Sequence, residues 1–178
     1  MARIEVRLRP FEERELELLD RMVNDQDFAG PFEWVGYRAS PEHRRRWHDD
    51  RLLGTSPYHL VIAATEDDRA VGWVDWRETR RAGLGVWEIG VLVVPDERGH
   101  GAGSAAQSQL VDYLFAHTLA HRIWAGTELE NIAEQHALER IGFRQEGLLR
   151  GHHFRDGAWR DAYIYGLIRP DNADRPRP

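Results

Sequence analysis

The sequence predicts a single α/β domain built on a mixed sheet, and three observations lead there. First, 58–76 reads as a β-hairpin: Tyr58 to Thr65 is rich in β-formers, Asp67-Asp68 supplies a turn, and Ala70 to Trp76 returns. Second, the apolar run that ends at Val94 breaks into a proline and three closely spaced glycines, then a helical pattern, then a further strand at 122–127. A strand–helix–strand passage of that kind implies a parallel pair. Third, 178 residues with 42% apolar content and seven Trp can bury a core, and neither a repeat nor a linker interrupts them. The domain is expected over 1–169, with a polar, proline-rich tail from 170 to 178 that lacks the residues to order itself.

The other elements follow from periodicity. Ile4, Val6 and Leu8 alternate with charged residues, which gives a half-buried strand that Pro10 stops. Leu16, Leu19, Met22 and Val23 repeat at helical spacing, so a helix is expected over 12–24. The stretch from Asn24 to Ser40 reads as an aromatic-rich loop. Ser40-Pro41-Glu42 is an N-cap signature for the next helix, which carries Arg44, Arg45 and Arg46 on a solvated face. Gly83 to Val94 forms a strand in which Gly90 marks a bulge or a close backbone approach. Helices are expected over 102–118 and 132–141, the second capped by Gly142. Phe143 to Leu149 and Ala158 to Ile168 close the chain as an antiparallel pair turned at Asp156-Gly157, with His152-His153 between them.

Composition excludes much chemistry. All 24 basic residues are Arg, so neither a catalytic lysine nor a Walker A loop exists. The absence of Cys removes thiolate nucleophiles and cysteine zinc sites. His117 and His121 are spaced i, i+4, but no Glu follows His117, so no metal is expected. A net charge of -6 argues against nucleic acid, and no apolar run is long enough for a membrane span. A soluble cytoplasmic protein is the expectation.

The most particular stretch is Val91 to Ser104. A strand that ends in a glycine turn and opens a helix gathers backbone N–H groups at the positive end of a helix dipole, which suits a phosphate. A P-loop fails for want of Lys. Gly101, Gly103 and Ala106 satisfy a dinucleotide fingerprint, but Pro95 to Arg98 intervene and two antiparallel strands precede it. Arg98-Gly99-His100-Gly101-Ala102-Gly103 also fits [RQ]-x-x-G-x-[GA], the pyrophosphate loop of acyl-CoA-dependent transferases.

On these residues the chain resembles the GNAT superfamily of acetyltransferases, specifically its RimJ/RimL-like branch. The resemblance extends over most of the length. It includes Leu8-Arg9-Pro10 before an acidic helix, Trp87-Glu88-Ile89-Gly90-Val91 ahead of the glycines, Asn131, Glu139-Arg140-Ile141-Gly142-Phe143, Glu146-Gly147 and Asp156-Gly157 near Asp161. It implies a GNAT-like fold: a mostly antiparallel mixed sheet of about six or seven strands, a splayed parallel pair and about four helices. It also implies acetyl-CoA as co-substrate. The pantetheine arm would pair with Val91 and Val93, and the amides of Gly99, His100, Gly101, Ala102, Gly103 and Ser104 would cradle the pyrophosphate beside Arg98. Asn131 would bind the arm or serve as an ordinary N-cap. The amide of Val93 or Val94 would stabilise the acetyl oxyanion.

The implied reaction is direct transfer to a primary amine, without a covalent enzyme intermediate. Glu88 is the first candidate base, against the alternative of a surface carboxylate paired with Arg; Asp75 and Glu78 are lesser candidates. The acid is unassigned: Leu138 stands where many relatives have Tyr, and Glu134 stands where the branch often has Ser. Glu134 would serve only with a raised pKa, and a surface role is the default. Phe32, Trp34, Trp76 and Trp87 are expected to line the acceptor pocket. The acceptor is expected to be a small polar amine such as an antibiotic or natural product, with a protein or peptide α-amine as the alternative. A weakly catalytic acyl-CoA-binding module is the rival from another class, and the chain is expected to be a monomer or homodimer.

Overall fold

A computed structural model describes residues 3–34, 36–37, 41–79, 85–173 and 176. Seven strands form one sheet: β1 (Val6–Arg9), β2 (Tyr58–Ala64), β3 (Ala70–Glu78), β4 (Val86–Val93), β5 (Arg122–Glu128), β6 (Arg144–Arg155) and β7 (Ala158–Ile168). Their order across the sheet is β1-β2-β3-β4-β5-β7-β6. Every neighbouring pair is antiparallel except β4 and β5. Five helices accompany them among the described residues: α1 (Leu16–Asn24), α2 (Gln26–Ala29), α3 (Pro41–Asp50), α4 (Ala102–His117) and α5 (Ile132–Arg140). Among the described residues, no helix is long and apolar enough to cross a membrane.

The sheet is covered on both faces. On one, Leu110, Val111 and Leu114 of α4 and Leu138 of α5 pack with Val74, Trp76, Ile89, Ile123 and Tyr165. On the other, Leu16, Leu19, Phe28 and Leu52 pack with Val61, Ala63, Trp73 and Leu92. Leu110 and Leu114 are fully buried, each contributing about 1.5–3 kcal/mol of transfer free energy. α5 ends in a Schellman turn: the Gly142 N–H donates to Glu139 O at 3.0 Å and the Phe143 N–H to Leu138 O at 3.0 Å. The αL backbone of Gly142 (φ 93°) makes that turn possible.

Several expectations change. The aromatic loop contains a short helix, α2, because Asp25 caps it: its Oδ1 accepts the Phe28 N–H at 3.0 Å and folds Phe28 into the core. Ser40, the expected cap of α3, lies outside the described residues, as do 80–84. β6 runs on to Arg155, so His152 and His153 lie inside it, where its register against β7 breaks between Leu149 and His153. From 170, the expected tail, the chain first makes a 3-10 turn over Arg169–Ala173. Within that turn Arg169 donates to the carbonyls of Phe115, Thr118 and Ala120. β3 and β4 keep one register from Gly72↔Val93 to Glu78↔Trp87, so Gly90 marks no bulge; it marks a close approach.

Candidate active site

β4 and β5 pair only over Val86–Glu88 with Arg122–Trp124, and beyond that the sheet opens. Which peptide groups face the opening follows from the ladder on the other side. Val94 N–H donates to Val71 O at 2.9 Å and Thr79 N–H to Val86 O at 2.8 Å. Antiparallel pairing alternates, so Val94, Leu92, Gly90, Glu88 and Val86 are the β4 residues bonded to β3. Ile89, Val91 and Val93 therefore present N–H and C=O toward the gap. This separates the two expected oxyanion donors: the Val93 amide is available, and the Val94 amide is consumed by Val71.

The gap leads into a cleft of about 490 Å³ whose walls include Val91, Val93, the glycine turn, Asn131 and Glu134. After a 3-10 turn at Pro95–Glu97, Gly99 and Gly101 adopt φ 80° and 84°, and Gly101 is the N-cap of α4. The first helical bond of α4 is donated by Ala105 to Gly101 O at 3.1 Å, so the amides ahead of it are left for a ligand. A Cβ on Gly103 would sit 3.4 Å from Val93 Cγ2, so this glycine lets the helix start close to the strand. His100 is half-buried and its carbonyl accepts the Ile4 N–H at 3.1 Å. A phosphate cradle beside an unpaired strand fits a cofactor with an anionic head and an extended, amide-bearing arm.

Arg98 is arranged differently from the expectation of a plain phosphate ligand. Its Nε donates to Val93 O at 2.9 Å, and its Nη2 donates to Phe28 O and Ala29 O at 2.7 and 3.3 Å. It thus clamps the end of α2 to the end of β4 while still lining the cleft. Asn131 caps α5, its Oδ1 accepting the Glu134 N–H at 3.3 Å, and it also lines the cleft, so both of its expected roles are geometrically open.

The carboxylates were only partly legible. Glu88 is gripped by Arg77 through two hydrogen bonds, Nε to Oε2 at 2.8 Å and Nη2 to Oε1 at 2.6 Å. Asp75 pairs across the sheet with Gly90, next to that ion pair. Burial pushes the Asp75 carboxyl up to about 6; Arg77 opposes the shift and Glu88 adds to it. Glu78 serves the loop instead, accepting the Gly85 N–H at 3.4 Å. The acids that line the cleft itself are Glu33, Glu97 and Glu134. Glu33 is an exposed residue of the cleft wall; crowding of protein around its carboxyl, with Asp75 and Glu128 nearby and Arg98 opposing, pushes it above the ordinary carboxylate range. Glu134 is pushed up to about 8 by burial, opposed by Gln107 and reinforced by Glu33. Sequence reasoning did not single out Glu33, and it left Glu134 as a surface acid by default.

The four expected pocket aromatics do not converge. Phe32 lines the cleft, with the Arg155 guanidinium 5.4 Å from its ring centroid. Trp34 is half-buried and makes an edge contact with Tyr37. Trp76 is a core residue, 5% exposed, stacked on Tyr58 at 5.4 Å, and Trp87 packs beside them. Parity explains this: Trp87 shares its strand face with Ile89, Val91 and Val93, which lie under α4. Among the described residues, no group of three or more metal-ligating side chains is positioned to hold an ion.

Comparison with known proteins agrees with this geometry. The family model described as "Acetyltransferase (GNAT) domain" matches residues 5–144. A probable N-acetyltransferase of Bacillus subtilis (strain 168), YjcK, is 29% identical over 170 residues, covering 89% of this chain and 94% of its own. The spermidine N(1)-acetyltransferase of Escherichia coli (strain K12) is 25% identical over 161 residues, covering 88% of this chain and 82% of its own. Mycobacterium smegmatis RimJ, solved in complex with CoA-disulfide, superposes with a TM-score of 0.80 at 26% identity, covering 97% of this chain and 88% of that one. The open β4–β5 pair, the glycine turn ahead of α4 and these matches lead to one conclusion: the chain belongs to the GNAT family of N-acetyltransferases.

Proposed function

We propose that this enzyme transfers the acetyl group of acetyl-CoA directly to the primary amine of a small cationic acceptor. One observation carries the choice of acceptor: Glu33 lines the cleft close enough to Asp75, Glu128 and Glu134 for their charges to couple. Burial is the larger cause of the raised Glu33 and Glu134 values; the neighbouring carboxyl groups add to it, with Arg98 opposing at Glu33, and a cation placed among them relieves that repulsion. The likeness to a spermidine N(1)-acetyltransferase supports the same reading.

In this reading the chain's residues divide the work. Amides of the glycine turn and the first turn of α4 hold the diphosphate. Ile89, Val91 and Val93 take the arm as a neighbouring strand would. The Val93 amide faces the acetyl oxygen and stabilises the charge that develops on it. The acceptor arrives as an ammonium and must lose a proton before its nitrogen forms the new C–N bond. Asp75 is better suited to receive that proton than Glu88, whose two oxygens are both engaged by Arg77. With its carboxyl pushed up to about 6, Asp75 is ionised at neutral pH yet basic enough to accept a proton.

The test is thiol release from acetyl-CoA with a polyamine, an aminoglycoside and a peptide bearing a free α-amine. The expected order of kcat/KM places the multiply charged small amines first, with KM rising as salt screens the cleft. A peptide turned over best, with little salt dependence, would overturn the acceptor class. CoA binding without release for any amine would reduce the enzyme to a binding module.

A further inference from the structure

Transfer to an amine leaves a sulfur that must be protonated, and the residue that many relatives use is missing here: Leu138 is fully buried in the core. The first turn of α5 nevertheless carries Glu134 into the cleft wall. Its carboxyl is met from the α4 side by Gln107, whose Nε2 donates to both oxygens at 3.1 and 3.3 Å. Gln107 is itself 1% exposed, so this contact anchors the carboxyl from inside the protein. Glu134 shares this cleft with Val91 and Val93, while Gln107 holds its carboxyl from the α4 side.

We propose that Glu134 is the general acid of the reaction, anchored by Gln107 and donating its proton to the sulfur as the bond between sulfur and the acetyl carbon breaks. The inference rests on the acetyl-transfer reading above. The accounting balances. The ammonium first gives one proton through Asp75 to solvent; the free amine nitrogen then forms the C–N bond and gives a second proton to Asp75 through water. The electron pair of the breaking C–S bond goes to sulfur, which takes the proton of Glu134. Asp75 is left protonated and Glu134 ionised, and exchange with solvent restores both.

The surroundings favour a carboxyl that keeps its proton at neutral pH. Burial is the dominant cause, and its value is pushed up to about 8. The charged groups facing it come from three elements. Glu33, on the segment after α2, raises it. Glu97 and Arg98, from the segment between β4 and α4, and His136 and Arg140, from α5 itself, line the same cleft. From α4 the partner is the uncharged Gln107.

Two variants and two readouts test the inference. In the protein without acetyl-CoA, infrared difference spectra of wild type against Glu134→Gln should show a protonated carboxyl that titrates near pH 8. Titration near the ordinary carboxylate range would overturn the proposal. In turnover, wild-type kcat should fall on an alkaline limb with that midpoint. Glu134→Gln should lower kcat roughly tenfold to a hundredfold and abolish the limb, leaving CoA affinity within about twofold. Gln107→Leu removes the hydrogen bond that favours the ionised form, so it should move the limb to higher pH. A limb unmoved in both variants, or a Glu134→Gln loss explained wholly by weaker CoA binding, would overturn the acid assignment. Release of no thiol by wild type with any amine would instead remove the acetyl-transfer reading beneath it.

Discussion

The carboxylate of Asp75 lies over Gly90. The two residues pair across β3 and β4, and a Cβ on the glycine would come 2.7 Å from Asp75 Oδ2. The bare face of β4 at this point is what leaves room for an acid just where the strand parts from β5. Gly90→Ala should therefore displace the carboxylate while preserving the fold. Its kcat should drop about tenfold or more, with a melting temperature near wild type and CoA affinity intact. Asp75→Asn should remove the acid limb of the pH profile. The sign is fixed by the role: a base works when ionised, so activity rises as pH passes about 6. If Glu88→Gln removes that limb and Asp75→Asn does not, the base is Glu88.

Gly101 is needed for its backbone rather than for space. A Cβ there would meet the Arg3 side chain at an ordinary 3.5 Å, but its φ of 84° disfavours any residue with a Cβ. Gly101→Val should cost about 1–2 kcal/mol of stability through that strain. It should also weaken CoA binding at least tenfold, because the turn that aims the amides relaxes. Titration calorimetry with CoA measures this directly, and unaltered affinity would refute the cradle.

The buried pair of Arg155 and Glu128 ties the end of β6 to the end of β5. Their side chains are 8% and 5% exposed, with Arg155 Nη2 donating to Glu128 Oε2 at 2.7 Å. Glu128→Gln leaves a guanidinium buried without its main counter-charge and should cost about 3 kcal/mol in chemical denaturation. It also removes one of the charges that raise Glu33, so the Glu33 carboxyl should titrate lower in that variant.

The acids of the cleft make stability fall with rising pH. Asp75, Glu33 and Glu134 all have folded values above their unfolded ones. Each contribution is complete below the unfolded value and is lost as pH rises through the folded one, so the window runs from about 4 to about 8. Glu134→Gln should flatten this slope and recover about 1–3 kcal/mol near pH 8 relative to wild type. A slope identical in wild type and variant would contradict a buried, protonated Glu134.

Much of the architecture was legible because it rests on local signals. The turn at Asp67-Asp68, the break at Pro95, the three glycines and the cap at Gly142 each act within a few residues. α2 escaped because four residues are too few to show a period; the one signal for it was Asp25, three residues before Phe28. Parity along β4 correctly placed Glu88 beside Gly90, and the same parity, applied to Trp87, would have placed that ring under α4 rather than in the acceptor pocket. Glu134 was hidden for a different reason. Its environment is made by Gln107 and Glu33, 27 positions behind and about a hundred behind it in the chain. No pattern within one helix reports such distant neighbours.

The three-residue pairing of β4 with β5 also acts as a filter. An unpaired ladder in the middle of a sheet would attract any extended chain, as sheet edges do in aggregation. Here the ladder lies beside a slot whose walls include the glycine turn, Asn131 and Glu134. A peptide strand must carry side chains alternately up and down, and each would have to find space between the two covered faces of the sheet. An arm with amides but without side chains passes.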